Sequence, residues 1–458
     1  MKIRSLLIEN FRGIQRVEAN ELGDTIIIAG QNGSGKSCIF DAIRLLKSIY
    51  GGYQANELQH FFGEFQIPLI GGITNLKGLF NDANRPCFIA IKFNLRPRER
   101  LYIEEHAREL LTKRVWQTLV PDAFQHGGHH QSIILLQNRH REPEVEQRVN
   151  DSLPGFESQI SQEFVHARVE IYPDGRLMVV PSELLSVIFS NFLPREIGII
   201  DFHGAQRHYG REIVQGINLN LEQTTQNYSQ HILYNYNNKY NNVKSEIASN
   251  YISGILAEQA GDITGTHATS TLNYTLKQLF ETFFPDKKFL GPRPTRDGSL
   301  AFPVETQFGT IHDLDELSSG EKEILYGYLR IRSSAPAESI ILLDEPELHL
   351  NPRLIRGLPE FYRKHLSEAL QNQLWLVTHS DAMIREAINK PGFNVFHMLP
   401  CGAEGTAVSQ LKALSVRSRP SSWCKFPGGH PVSIVHAAMV GNAGIGSSLS
   451  VFMVSRVI

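Results

Sequence analysis

The sequence predicts an α/β fold whose functional groups lie at the carboxyl ends of parallel strands. Three segments support this prediction: TIIIAGQNGSGKS (25–37), SIILLDEPELHLNP (339–352) and QLWLVTHS (373–380). In each segment, a run of β-branched or other apolar residues is followed directly by glycines or by polar side chains that can bind a ligand. Ligands bind at that edge of open α/β sheets, so we expect the three segments to meet at one site.

The first segment fits the phosphate-loop pattern G-x-x-x-x-G-K-[ST], with a strand from Thr25 before it and an amphipathic helix after it that ends near Gly51. Glycines allow successive backbone N–H groups to point into one concavity, and the helix adds its positive N-terminal dipole. We expect Lys36 to reach the β- and γ-phosphates and Ser37 to bind Mg²⁺. The predicted nucleotide-binding residues of this loop are Asn32, Gly33, Ser34, Gly35, Lys36, Ser37 and Cys38.

The second segment ends in two adjacent carboxylates, Asp344 and Glu345. Adjacent residues of an extended chain point in different directions, so one carboxylate can enter the Mg²⁺ shell while the other faces an attacking water. We therefore predict Asp344 as the second metal-binding residue and Glu345 as the general base. His379 follows the third apolar run; a lone histidine at a strand end is more often structural, and its position after the acid pair favours a catalytic role.

The composition describes an ordinary globular chain: 458 residues, 41% hydrophobic and 20% charged, enough for two or three domains. The net charge of −2 gives no general attraction to nucleic acid or anionic membrane, so any DNA contact requires a local patch. The four cysteines form no CxxC pair, and the charged N-terminus is unlike a signal peptide. We expect a cytoplasmic location and no membrane partner.

A further segment, ELSSGEKEILYG (316–327), combines a serine-glycine cap with apolar residues at helical spacing. With it, the motifs resemble the nucleotide-binding head of ABC-type ATPases of the AAA family: Walker A at 30–37, the signature at 317–321, Walker B at 340–345 and a switch histidine at 379. The resemblance implies a P-loop core beside an antiparallel β lobe, with ATP and Mg²⁺ as cofactors and ATP hydrolysis as the activity. It also implies that Ser319 and Gly320 close over the γ-phosphate held by a second copy, giving an ATP-joined homodimer with two-fold symmetry.

Within that superfamily, LIENFRGIQ at the start and DEPELHLNP near Walker B resemble the SMC/RecF/OLD branch. By this resemblance Arg12 lies near the nucleotide. Transporter subunits are disfavoured, because Walker A ends at residue 37 and the signature begins only at residue 317. The absence of long heptad repeats and of a CxxC hook excludes a long-armed tether, so the chain resembles compact heads that act in DNA repair or anti-phage defence.

The expected function is an ATP switch that closes on ATP, opens on hydrolysis, and regulates DNA transactions or a separate effector nuclease. The alternative is a RecF-like clamp that holds DNA in an ATP-dependent manner without a nuclease partner, and a transport ATPase subunit comes third. Gln206 and Arg207 follow an apolar strand, and the resemblance to related ATPases implies that one or the other senses the γ-phosphate.

The chain is predicted to divide into four segments. Residues 1–215 form the N-terminal lobe with Walker A and the β lobe, in which Pro173-Asp174-Gly175 turns a hairpin. Residues 216–300 form a helical insertion, and residues 301–413 carry the signature, Walker B and the switch histidine. Residues 414–458 are an atypical tail without a single acidic residue, which we expect to be a truncated or frame-altered end.

Overall fold

The computed structural model describes most of the chain up to residue 414. The described residues are 1–54, 56–67, 76–124, 129–216, 233, 239–260, 276–335, 337–388, 390–402, 408–414, 423–425 and 431–433. Most of the predicted tail, and residues 217–232, 234–238 and 261–275 of the predicted insertion, lie outside them. Within these ranges, none of the helices combines the length and apolar character that crossing a membrane requires.

An antiparallel sheet of five strands forms the predicted β lobe. One face of this sheet is buried, as the alternating burial of its strands shows. The predicted hairpin turn is confirmed: Gly175 has a φ of +86°, and the Tyr172 N–H donates to the Arg176 carbonyl at 2.9 Å. In spatial order β2-β1-β4-β5-β6, the strands are β1 (Lys2–Phe11), β2 (Ile14–Ala19), β4 (Cys87–Asn94), β5 (Val165–Ile171) and β6 (Leu177–Val179).

The central sheet has six strands in the order β16-β15-β3-β14-β13-β7, and all its neighbouring pairs are parallel except the one that β16 makes at the edge. Every residue of β3, β13 and β14 is buried, because helices cover both faces of a parallel sheet. The strands are β3 (Thr25–Gly30), β7 (Ile200–His203), β13 (Ile340–Asp344), β14 (Gln373–Thr378), β15 (Phe393–Met398) and β16 (Leu411–Ala413).

Helices connect the strands of these sheets along the chain. The helix after β3 and its neighbour are α1 (Lys36–Tyr50) and α2 (Glu57–Glu64); the lobe between β4 and β5 contains α3 (Pro97–Glu105), α4 (Ala107–Leu119), α5 (His129–Gln137) and α6 (Glu142–Ser161); α7 is Glu183–Ser190. The later helices are Val243–Ala260, the signature helix Ser319–Ser334, the short Pro352–Ile355 and Leu358–Tyr362, a π-helical stretch Arg363–Glu368, and Asp381–Ile388.

The predicted helical insertion is only partly helical in its described residues. Val243–Ala260 forms one helix and residues 276–283 are also helical. The end of the segment forms short strands instead, because Gly291 and Gly298 adopt positive φ values of +82° and +84° that reverse the chain. The strands there and beyond are β8 (Lys287–Phe289), β9 (Arg293–Pro294), β10 (Leu300–Ala301), β11 (Pro303–Thr306) and β12 (Ile311–Asp313).

Candidate nucleotide site

Sheet topology brings the three predicted segments to one edge. β14 lies between β3 and β13 and is parallel to both. In this register Ala29 is opposite Thr378, and Asp344 is opposite Val377. The Walker A loop, the switch histidine and the Walker B acids therefore leave the sheet side by side at its carboxyl edge, as expected for a ligand site in an open α/β sheet.

The Walker A loop can form only with glycine at its tight positions. Gly33 and Gly35 have φ values of +79° and +90°, in the left-handed region. A Cβ added at Gly35 would lie 2.9 Å from the Gly13 carbonyl oxygen, and one at Gly30 would lie 2.6 Å from that of Met398. The N-cap residue of α1 is Gly35, which has no side chain that could occupy the first N–H groups of the helix in place of a phosphate.

Lys36 lies across this loop. Its ammonium donates to the carbonyl oxygens of Gly30 at 2.9 Å and Gln31 at 2.8 Å. Burial lowers the pKa of Lys36, while the carboxylates of Glu345, Asp344 and Glu347 act in the opposite direction. Phosphate oxygens of a bound nucleotide could replace these carbonyl acceptors, so the position agrees with the predicted role of Lys36.

Asp344 and Ser37 have the chemistry of a Mg²⁺ site. Burial raises the pKa of the Asp344 carboxyl to about 6, although a hydrogen bond from the Ser37 side chain opposes this shift. Asp344 Oδ1 is a buried oxygen atom without a hydrogen-bond partner among the described residues. Such oxygen atoms suit a hard cation, which prefers oxygen ligands. The residues present therefore fit the predicted ion.

Glu345 occupies an unusual backbone position next to His379. Its φ is +43°, which is uncommon for a residue with a side chain, and its N–H is fixed by the Val377 carbonyl at 2.9 Å. Glu345 Oε1 lies 3.3 Å from His379 Nδ1. The His379 side chain is 42% exposed, so the predicted base and the predicted switch histidine lie together at an accessible part of the site.

Glu347 also belongs to this group, although the sequence analysis did not single it out. Its buried Oε1 accepts hydrogen bonds from the Thr378 hydroxyl and, at 3.1 Å, from the His379 N–H. The same oxygen lies 3.6 Å from His379 Nδ1, and burial raises the pKa of the Glu347 carboxyl. The available sequence signal was a third acid close behind a buried strand, just after the adjacent acid pair.

Three further predicted binding residues differ in their surroundings: Arg12, Asn32 and Cys38. Arg12 forms an ion pair with Asp41 of α1, and its guanidinium lies 4.0 Å from the centre of the Phe65 ring. The backbone of its neighbour Gly13 packs directly against Gly35. Asn32 is exposed, whereas Cys38 is partly buried and its thiol pKa is raised by burial. Arg12 is thus beside a residue that packs on the phosphate loop, and its guanidinium is paired with α1.

The signature motif begins the helix Ser319–Ser334. Ser318 is its N-cap and forms a capping box with Glu321, which also pairs with Lys287. Ser319 is exposed, whereas Gly320 is pressed against the turn that follows Walker B: a Cβ there would lie 2.9 Å from the His349 carbonyl oxygen. Glycine is required at 320 by this close approach.

The two candidate sensors differ in their surroundings. Gln206 is exposed. Arg207 is buried, and its guanidinium donates hydrogen bonds to the Glu323 carboxylate and to the main-chain oxygen of Asp344. Arg207 therefore contacts the Walker B strand rather than extending toward a phosphate.

Known proteins resemble the chain in fold and in one family pattern. Solved structures that are similar include an SMC head bound to the C-terminal winged-helix domain of ScpA, with 16% identity, 91% of this chain and 99% of that chain covered, and a TM-score of 0.45. Others are an SMC head with an extended coiled coil bound to the C-terminal domain of ScpA from Pyrococcus furiosus (15%, 91% and 96%, 0.44) and the SMC head domain from Thermotoga maritima (13%, 91% and 100%, 0.40).

No curated protein matches the chain. The sequence pattern of the AAA ATPase domain matches residues 1–384, which is most of the 458-residue chain. This match and the observed sheets confirm the predicted ATPase head fold. The chain belongs to the AAA ATPase domain family.

Proposed function

We propose that the chain is an ATP-hydrolysing switch in which two copies join head to tail around ATP and separate after hydrolysis. The observation that supports this most strongly is the exposed Ser319 at the start of a long, capped helix. A helix N-terminus offers N–H donors to an anion, and Ser319 is exposed at this one, where a second copy can present its nucleotide.

Each head contributes the rest of the site. Lys36 and the N–H groups of 33–37 would bind the phosphates, and Ser37 with Asp344 would hold Mg²⁺, which neutralises charge on the β- and γ-phosphates. Glu345 would orient and deprotonate the attacking water, and His379 would contact the γ-phosphate. The separation of roles fits the geometry, since Asp344 is buried beside Ser37 whereas Glu345 is near the exposed histidine.

The process under control is proposed from the motifs alone. The resemblance to compact SMC/RecF/OLD heads supports a switch that acts on DNA or on a separate effector such as a nuclease. ATP-dependent retention of DNA that weakens with added salt, in the absence of any effector, would favour the DNA clamp instead.

The test compares two substitutions in the presence of ATP and Mg²⁺. Glu345→Gln should keep nucleotide binding but prevent water activation, so it should accumulate a dimer by light scattering after gel filtration. Lys36→Ala should remain monomeric because it loses the phosphate-binding ammonium. Glu146→Gln, which neutralises an exposed acid of α6, is the control and should behave like the unsubstituted protein. The same oligomeric state for Glu345→Gln and Lys36→Ala would contradict the proposal.

A further inference from the structure

Arg207 joins the Walker B strand to the signature helix within one head. One guanidinium nitrogen donates to Glu323 in the signature helix, and another donates to the main-chain oxygen of Asp344 at the end of β13. The Arg207 side chain is 1% exposed and that of Glu323 is 3% exposed. A planar guanidinium with donors in fixed directions suits such a double contact, which a lysine ammonium cannot reproduce.

Contacts of Glu323 hold the signature helix close to its start. Glu323 also accepts a hydrogen bond from the Tyr209 hydroxyl at 3.0 Å. It lies four residues beyond Ser319, which is about 6 Å along a helix at its usual rise. Farther along, Arg330 pairs with Glu246 at 2.7 Å. These contacts tie the helix to the nucleotide edge of the sheet through Arg207 and to the helix Val243–Ala260 through Arg330.

We infer that Arg207 is a positioning residue that couples the Walker B end of a head's own nucleotide site to the orientation of its signature helix. A small shift of Asp344 on nucleotide binding would pull Arg207, and with it Glu323 and the Ser319-Gly320 turn. This inference rests on the proposed function, because the turn acts on the nucleotide of a second copy. ATP in one head would thereby prepare the clamp for the other.

A purely structural ion pair is the competing explanation, since buried pairs often serve packing alone. The bond to the Asp344 carbonyl distinguishes Arg207, because it reaches the residue proposed to hold Mg²⁺. The pair Arg330–Glu246 provides a matched comparison on the same helix: its side chains are 1% and 12% exposed, and Arg330 also donates to the main-chain oxygen of Asn241.

In the experiment, both members of a buried ion pair are replaced by glutamine, so that no unpaired buried charge remains. Arg207→Gln/Glu323→Gln and the control Arg330→Gln/Glu246→Gln are both made in the Glu345→Gln background. Affinity for a fluorescent ATP analogue, ATP-dependent dimer affinity by sedimentation, and amide exchange of residues 319–325 with and without ATP are measured. The first variant should bind the nucleotide like its parent but dimerise more weakly by roughly 5- to 150-fold, the usual range of coupling between sites. Its ATP-dependent change in exchange should disappear, and the control should retain both.

Equal dimer affinity and equal ATP-dependent exchange in the two double variants would overturn the inference while leaving the proposed dimer intact. If the Glu345→Gln parent itself fails to dimerise, the proposed function fails, and the amide-exchange measurement alone decides the inference. An ATP-dependent change in exchange that requires Arg207 supports the inference. If the parent shows no ATP-dependent change in exchange, the inference is overturned. If the double variant does not fold, Arg207→Lys replaces it, with weakened dimerisation expected and parental behaviour contradicting the coupling.

Discussion

Asp344→Asn is expected to stabilise the nucleotide-free protein while abolishing hydrolysis. The buried carboxyl has a pKa raised from 3.8 to about 6, so keeping it ionised in the folded state costs about 3 kcal/mol, at 1.36 kcal/mol per pKa unit. Asparagine has nearly the same shape and carries no charge, so it avoids this cost. It also provides a weaker ligand for Mg²⁺, which prefers carboxylate oxygens.

The pH dependence has a definite sign. The unfolded chain loses the Asp344 proton near pH 4, whereas the folded chain keeps it until about pH 6. The folded state binds more protons between these values, so this group's contribution to stability is lost as pH rises through that window. The stability advantage of Asp344→Asn over the native protein should therefore grow from near zero at pH 4 to about 3 kcal/mol at pH 8.

Urea unfolding in EDTA at the two pH values measures this difference, and steady-state phosphate release with Mg²⁺ measures hydrolysis. Asp286→Asn, at an exposed acid outside the site, is the control and should show neither effect. Adding Mg²⁺ and ATP should stabilise the native protein more than Asp344→Asn, because a ligand stabilises only the state that binds it. An Asp344→Asn protein that is less stable than the native one at pH 8 would refute the proposed desolvation cost.

Glu347→Ala should destabilise the protein by about 2–4 kcal/mol in urea unfolding, because the buried Thr378 hydroxyl and the part-buried His379 N–H lose their acceptor. Glu347→Gln retains an acceptor and should lose much less stability. Equal losses would contradict the role of Glu347 as an acceptor. Gly320→Ala should weaken ATP-dependent dimerisation, measured by sedimentation, because its Cβ collides with the His349 carbonyl oxygen. As a comparison, the Cβ of Gly63→Ala in α2 meets no atom within 4 Å, so this variant should raise the free energy of unfolding by up to about 1 kcal/mol. Unchanged dimer affinity in Gly320→Ala would show that this contact is unimportant.

The sequence was most informative where structure is local. An apolar run such as Ile340–Leu343 predicts a buried strand because helices must cover both of its faces, and the observed β13 covers the same residues. Parallel strands carry their ligands at one edge, so the proximity of Glu345 and His379 followed from the strand predictions. Residues 287–301 were less predictable, because glycine-centred reversals interrupt a segment expected to be helical.

Contacts between distant segments could not be predicted. Arg207 and Glu323 are 116 positions apart, and their pairing depends on how the signature helix packs beside β13. Glu347 approaches Thr378 only because β13 and β14 are neighbours in a fixed register. The hypothesis that Arg207 senses phosphate came from the resemblance to related ATPases, which gives no information on the buried acceptors that hold the guanidinium.

The most direct test of the central claim mixes two inactive heads. Lys36→Ala lacks phosphate binding, and Ser319→Arg blocks the signature turn. If the turn acts on a second copy, neither variant can form an ATP-joined dimer with itself, whereas a mixed dimer has one complete site of two. An equal mixture should then recover up to about half of the native hydrolysis rate. If the signature serves the nucleotide of its own head, each head remains defective and the mixture stays as inactive as either variant alone.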